Sequence, residues 1–224
     1  MKKSLSMTLV LAALTTTCFA GPLTDYTQGK ASIDLSIRPN LSITGTDSGG
    51  DAKWNSKSNT DFGLTYGLGN NFAIQYNYST ADTKDYTGTI SGFPITGHGS
   101  LNSQEFNVLY KLDNNLSAFI GATRTTNDID TSLGSIAGKS SNGYQVGFID
   151  TTKIADKTNL YGIVAAGNKL ASYTIGVSQA LGGNTEFNLF YKTVKYKGLE
   201  YDGIGGYEYD YKVKGLGCGL TYKF

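Results

Sequence analysis

The chain has one histidine, His98, in the stretch SGFPITGHGSL, with Ser100 two residues away. A neutral imidazole is the usual general base near pH 7, and a hydroxyl beside it is a nucleophile in need of one. On a strand that spacing would place both side chains on one face. The flanking glycines and proline read instead as loop, where a lone histidine is incidental. Asp47, Asp51, Asp82, Asp85, Asp128 and Asp130 fall in similar polar stretches. Paired carboxylates can do acid–base work, but acidic loop residues ordinarily serve solubility. No run of His, Cys, Asp and Glu has the spacing of a metal site, and no cofactor is implied. The expectation is therefore a non-enzymatic protein, with a hydrolase working through His98 or the loop aspartates kept as the alternative.

Two further sets stand out. Asp34, Arg38, Asp61, Glu105, Lys111, Glu186 and Lys192 sit in the middle of otherwise apolar-alternating segments. Both signs are present, and mixed charges tend to pair and plug a space, whereas a conducting filter carries rings of one sign. Glu105 with Lys111, and Glu186 with Lys192, are the expected members of an internal polar network. The other set is YKGLEYDGIGGYEYDYKVKG, residues 196–215, where Tyr201, Tyr207, Tyr209 and Tyr211 accompany acidic and basic neighbours. Tyrosines on a rigid ribbon can stack on sugars or bury at a protein interface.

The elements that must position these residues are strands. ASIDLSIR places Ala31, Ile33, Leu35 and Ile37 on one face, and DFGLTYGL and FAIQYNY repeat the alternation. LGNN (68–71), LDNN (112–115) and LGGN (181–184) are tight turns of residues that tolerate positive φ. Between them lie long polar stretches near 45–59, 80–101, 126–141 and 197–208. Ten strands are expected, near 30–44, 60–68, 72–79, 102–112, 116–125, 142–151, 159–167, 170–181, 185–196 and 207–224. The count falls to eight if the tight turn at Asn168-Lys169 does not form. Pro39, unable to donate to a ladder, is expected near a rim.

Residues 1–20, MKKSLSMTLVLAALTTTCFA, have a basic start, a short apolar run and a small-x-small end before Gly21. This is the pattern of a cleaved secretory signal peptide. A lipoprotein signal with Cys18 lipidated would need a leucine and a small residue where Thr15-Thr16-Thr17 stand. Removing two lysines takes the formal charge from +1 to −1, so no basic face invites nucleic acid. Only Cys218 then remains, which excludes an internal disulfide. Residues 21–29 are expected as a short periplasmic segment and 30–224 as the folded unit.

Alternation leaves open which side faces solvent, but three features put the apolar side outward. It carries large aromatic groups near segment ends, the opposite side carries the charges, and ten residues tilted by ~40° rise roughly 25 Å, the height of a lipid-facing band. Lipid also demands closure, because an open edge leaves unpaired N–H and C=O groups. The fold class is therefore all-β, an up-and-down antiparallel transmembrane barrel.

Gly219-x-x-Tyr222-x-Phe224 at the C-terminus resembles the ending of the small bacterial outer-membrane barrels of the OmpA/OmpX and opacity types. Gly217 stands where that group usually has a polar residue. The resemblance implies an outer-membrane address, a last strand that closes against the first, and reading of Gly219, Tyr222 and Phe224 by the assembly machinery. It implies lipid, lipopolysaccharide included, as a neighbour. Arg124, if its strand presents Leu116, Ala118 and Ile120 outward, lies where it can pair with a lipopolysaccharide phosphate. The expected function is a structural or adhesin-like role of a monomer with a plugged or very narrow lumen, its loops meeting a host or cell-surface ligand. A small porin is the alternative, and an outer-membrane lipid- or peptide-hydrolysing enzyme the second.

Overall fold

The computed structural model describes residues 21–47, 50–90 and 93–224; the expected signal peptide, 1–20, lies outside the described residues. Ten strands form a closed antiparallel ring. In order around the wall they are β1 (Ala31–Arg38), β4 (Asn59–Gly69), β5 (Phe72–Thr80), β7 (Phe93–Lys111), β8 (Leu116–Thr131), β10 (Ser141–Ala155), β11 (Thr158–Gly167), β12 (Leu170–Gly182), β13 (Thr185–Tyr201) and β14 (Ile204–Lys223). β14 returns to β1, pairing Leu220 with Leu35 and Tyr222 with Ile33, and Phe224 N–H donates to Ala31 O at 2.9 Å. Four short strands lie at one end: β2 (Ser42–Asp47), β3 (Gly50–Asn55), β6 (Tyr86–Ile90) and β9 (Gly134–Ile136).

The expected outward face is outward. Phe106 is 62% exposed, Ile120 61% and Tyr144 65%, and large apolar residues continue around all ten strands. An apolar belt of this extent is unstable in water and suits lipid. Aromatic pairs stand near its short-turn rim, with ring centroids of Phe72–Tyr110 and Tyr222–Phe224 each 4.8 Å apart. That rim, the periplasmic side in barrels of this kind, has the expected tight turns, and Gly69, Asn70 and Asn71 all take positive φ. The hairpin at Asn168-Lys169 forms between β11 and β12, which settles the strand count at ten.

Two expectations about loops are corrected. The first strand does not run from 30 to 44: β1 stops at Arg38, Asn40 turns at φ 54°, and the chain re-enters pairing as β2 against β14 rather than β4. Pro39 lies at this break. The stretches 80–101, 126–141 and 197–208 are largely paired rather than loop, because β7, β8, β13 and β14 continue past the bilayer with neighbours available on both sides. β14, at 20 residues, spans roughly 50 Å, about twice the height of a lipid band. His98 and Ser100 therefore lie on a strand, opposite Asp130 and Asp128 of β8.

Above the bilayer these extensions re-close as a narrower ring. β14 pairs with β2, and β2 with β3. Ser56 bridges to Thr83, and Thr83 N–H donates to Gly99 O of β7 at 2.8 Å. β7 pairs with β8, and past β9 the chain bridges from Gly138 to Tyr201 on β13. The turn at Asn168-Lys169 leaves β11 and β12 short, and the wall above them is supplied by the 137–139 crossing instead.

Candidate functional site

The lumen is layered. Its periplasmic layer is apolar: Leu109, Phe119, Ile149, Ala165 and Ala73 from the wall surround Leu23 and Tyr26. Of residues 21–29, expected as a short periplasmic segment, Gly21, Leu23 and Tyr26 are buried within the barrel, while Asp25 and 27–29 are exposed. The segment is tied by main-chain bonds, Gly69 N–H to Tyr26 O at 2.9 Å and Gly67 N–H to Lys30 O at 2.7 Å. Gly67 must be glycine, since a Cβ there would lie 2.5 Å from Thr27 O. Lys111 donates to Thr24 O at 2.9 Å, so it anchors this plug and does not pair with Glu105.

The middle layer is a cavity of about 170 Å³ lined by both polar and apolar side chains. Asp34, Asp61, Glu105 and Lys192 line it together with Gln75, Asn77, Asn107 and Asn188. Amides carry most of the bonding. Gln145 Nε2 donates to Glu105 Oε2 and to Asn107 Oδ1, each at 2.9 Å, while Gln75 Oε1 accepts from Asn77 and Asn107 at 3.1 Å. Glu186 pairs with Lys223 at 2.8 Å and not with Lys192. Six-residue spacing along a strand separates the heads within β7 and within β13 by roughly 20 Å, so these side chains meet partners on other segments. Arg38 caps the cavity: its Nη2 donates to Asp61 Oδ1 at 2.7 Å and to Thr80 O at 2.8 Å.

The third layer fills the narrower ring above. Leu41, Ile43, Ala81, Leu101, Leu170, Val194, Tyr196, Leu199 and Val213 form one buried cluster, with Trp54 and Tyr211 against it. Leu41, Leu170 and Leu199 are each 0% exposed. Tyr201 is also buried, and its hydroxyl lies 2.6 Å from that of Tyr211. Of the four tyrosines expected at the surface, Tyr201 and Tyr211 therefore face inward, because β13 and β14 stay paired there and their inward parity is apolar. Tyr207 is 55% exposed and Tyr209 half-buried.

On the outside of this head, His98 lies between two carboxylates, Nδ1 3.7 Å from Asp85 Oδ1 and Nε2 3.6 Å from Asp130 Oδ2. Lys57 reaches Asp85 at 3.3 Å, and Ser135 Oγ donates to Asp130. Ser100 is not among the partners of His98. Among the described residues no group of three or more His, Cys, Asp and Glu could hold a metal ion. Lys139 pairs with Glu200 at 2.8 Å across the crossing that completes the ring, and this bond raises the Lys139 pKa. Arg124 is exposed on the outer face and donates to Ser140 Oγ at 3.1 Å.

Sequence reasoning missed the plug and the amide ladder. Gln75 and Asn77 were visible as inward polar positions, but neutral amides give no charge pattern. Leu23 and Tyr26, spaced i and i+3 outside any alternation, carried no strand signal.

No protein-family model matches the chain, and no curated protein matches it. Solved structures do. The outer-membrane protease OmpT from Escherichia coli superposes with a TM-score of 0.57 at 12% identity, over 93% of this chain and 99% of that one. Ail, the attachment invasion locus protein of Yersinia pestis, gives 0.44 at 12% identity over 88% and 100%. At such identities the likeness is one of fold. The fold is that of the small bacterial outer-membrane β-barrels, here with ten strands.

Proposed function

We propose that this protein is a non-conducting barrel of the bacterial outer membrane that acts through its extracellular head. The observation that carries this reading is the layering of the lumen, apolar at both ends with a hydrogen-bonded chamber between them. Water and ions crossing it would have to pass Leu23 and Tyr26 on one side and the Leu41, Leu170, Leu199 cluster on the other. Such layers are packing cores, not filters. The head that remains available is extensively hydrogen-bonded and displays Tyr207, 55% exposed, which suits an adhesin-like or structural contact with a surface glycan or protein. Lipid is the lateral partner, a lipopolysaccharide phosphate is the group that exposed Arg124 would meet, and Gly219, Tyr222 and Phe224 are the strand end offered to the assembly machinery. The protein works as a monomer, without nucleic acid or cofactor.

The test is single-channel recording of the mature protein in a planar bilayer. Silence from protein shown to be folded supports the reading. Reproducible steps whose ion selectivity changes with Lys192→Glu would replace it with the porin reading.

One observation favours a second reading. His98 held between Asp85 and Asp130 on the outer face is an arrangement that can move a proton, and hydrolysis of a lipid or peptide is the chemistry it would serve. Loss of such an activity from the purified barrel on His98→Ala, with folding unchanged, would establish it.

A further inference from the structure

Asp34 on β1 and Glu186 on β13 both pair across to Thr221 on β14, so two carboxylates flank one residue from either side. Thr221 Oγ1 donates to Asp34, and Asn188 Nδ2 donates to Thr221 Oγ1 at 2.8 Å. Lys223 supplies the one cation, 2.8 Å from Glu186 Oε1. With both carboxylates ionised, two negative charges and one positive would leave this cluster at net −1. Glu186 is 1% exposed. An uncompensated charge at that depth is costly.

The group that reaches the cluster is the start of the plug. Gly21 is buried and lines the same cavity as Asp34, Asn188 and Thr221. Space around it is tight: a Cβ would lie 3.2 Å from Ser178 Oγ and 3.6 Å from the Tyr161 ring. The Thr151 methyl group would lie 3.8 Å from that Cβ, and the buried Glu186 Oε2 has no hydrogen-bond partner among the described residues.

We infer that Glu186, with Asp34 one strand further on, is a binding site for an α-ammonium, and that its ligand is the amino terminus of the mature chain at Gly21. The inference rests on the cleavage expected after Ala20. Hydrolysis of the Ala20–Gly21 bond adds the hydroxyl of water to the Ala20 carbonyl carbon and its hydrogen to the Gly21 nitrogen. That amine takes up a further proton near neutral pH. An amide offers Glu186 one donor and no charge. The ammonium offers three donors and the missing positive charge, bringing the cluster from −1 to neutral. Processing would then be what seats the plug: the uncut chain brings the same backbone to a site that still lacks a cation.

Three measurements on the full mature protein test this. Protein isolated from the outer membrane must begin at Gly21; a different start overturns the inference. Acylation of amines at pH 7, followed by mass spectrometry, should modify Gly21 at least ~10-fold more slowly in the folded barrel than in urea. Exposed Lys84 should react alike in both states. Equal rates at Gly21 would overturn the inference without requiring any variant to fold. Finally, N-terminal acetylation should shift the unfolding equilibrium about tenfold when Glu186 is present, and by less than about threefold in Glu186→Gln. An equal shift in both backgrounds would show that the amine has no business with Glu186.

Discussion

The two apolar layers of the lumen are built by different means. The upper layer is made by the wall itself, which narrows as β2, β3 and the 137–139 crossing replace β10 to β12 and turns Leu41, Leu170 and Leu199 inward. The lower layer is completed by a guest, Leu23 and Tyr26 of the segment 21–29, which pack against side chains of the wall. One layer is bound into the ladder of the barrel; the other is a docked segment held by a few main-chain bonds and by Lys111. The difference should be visible as two levels of stability, global above and local below.

The largest effect is expected at the floor of the upper layer. Asp61→Ala leaves Arg38, 2% exposed, as a buried charge without its partner, and should cost about 3–5 kcal/mol in urea unfolding. Leu199→Ala should cost about 2–5 kcal/mol in the same measurement, since the cavity it leaves lies inside the paired ring. Leu23→Ala removes a comparable side chain from the lower layer, yet should leave the global midpoint within about 0.5 kcal/mol, because undocking competes with unfolding. Its signature is faster amide exchange at Gly67 and Gly69. If Leu23→Ala and Leu199→Ala lower the midpoint equally, the distinction between wall and guest is lost.

The smallest effects are electrostatic and lie at the two rims. Lys139 gains its partner Glu200 on folding, so its pKa is raised above the ordinary 10.5. That contribution is complete below 10.5 and fades as pH rises through the higher folded value. Asp113, in the 112–115 turn, accepts from the Asn115 and Leu116 N–H groups, which lower its pKa below 3.8. Its contribution is present above 3.8 and is lost as pH falls through the lower folded value. Amide exchange should therefore accelerate in residues 137–139 on the alkaline side and in the 112–115 turn on the acid side, with the reverse pattern counting against both pairings.

Much of the wall was legible in the sequence, because strand parity is a local property and lipid rewards it on every strand. Phe106, Val108 and Tyr110 announce their face without knowing their neighbours. What was not legible depends on several strands at once. The polar composition of 80–101 looks like loop until β6 and β8 stand on either side of β7. Tyr201 and Tyr211 look like surface residues until the ring closes over Leu199. The partners of the charged residues could not be read, since Glu186 meets Lys223 across a strand pair and Lys111 meets a main-chain carbonyl 87 residues away. Pairing of this kind belongs to register and barrel shear, which no single segment encodes.

The measurement that bears most directly on the proposed closure of the lumen is conductance across a set of four proteins in planar bilayers. They are the mature chain, the chain lacking residues 21–28, the chain with the β2–β3 hairpin 42–55 replaced by a short Gly-Ser link, and the combination. With two independent seals, the first three should be silent and only the combination should pass ions in reproducible steps. Steady conductance by the mature chain, or by the chain lacking only the plug, would contradict the double closure.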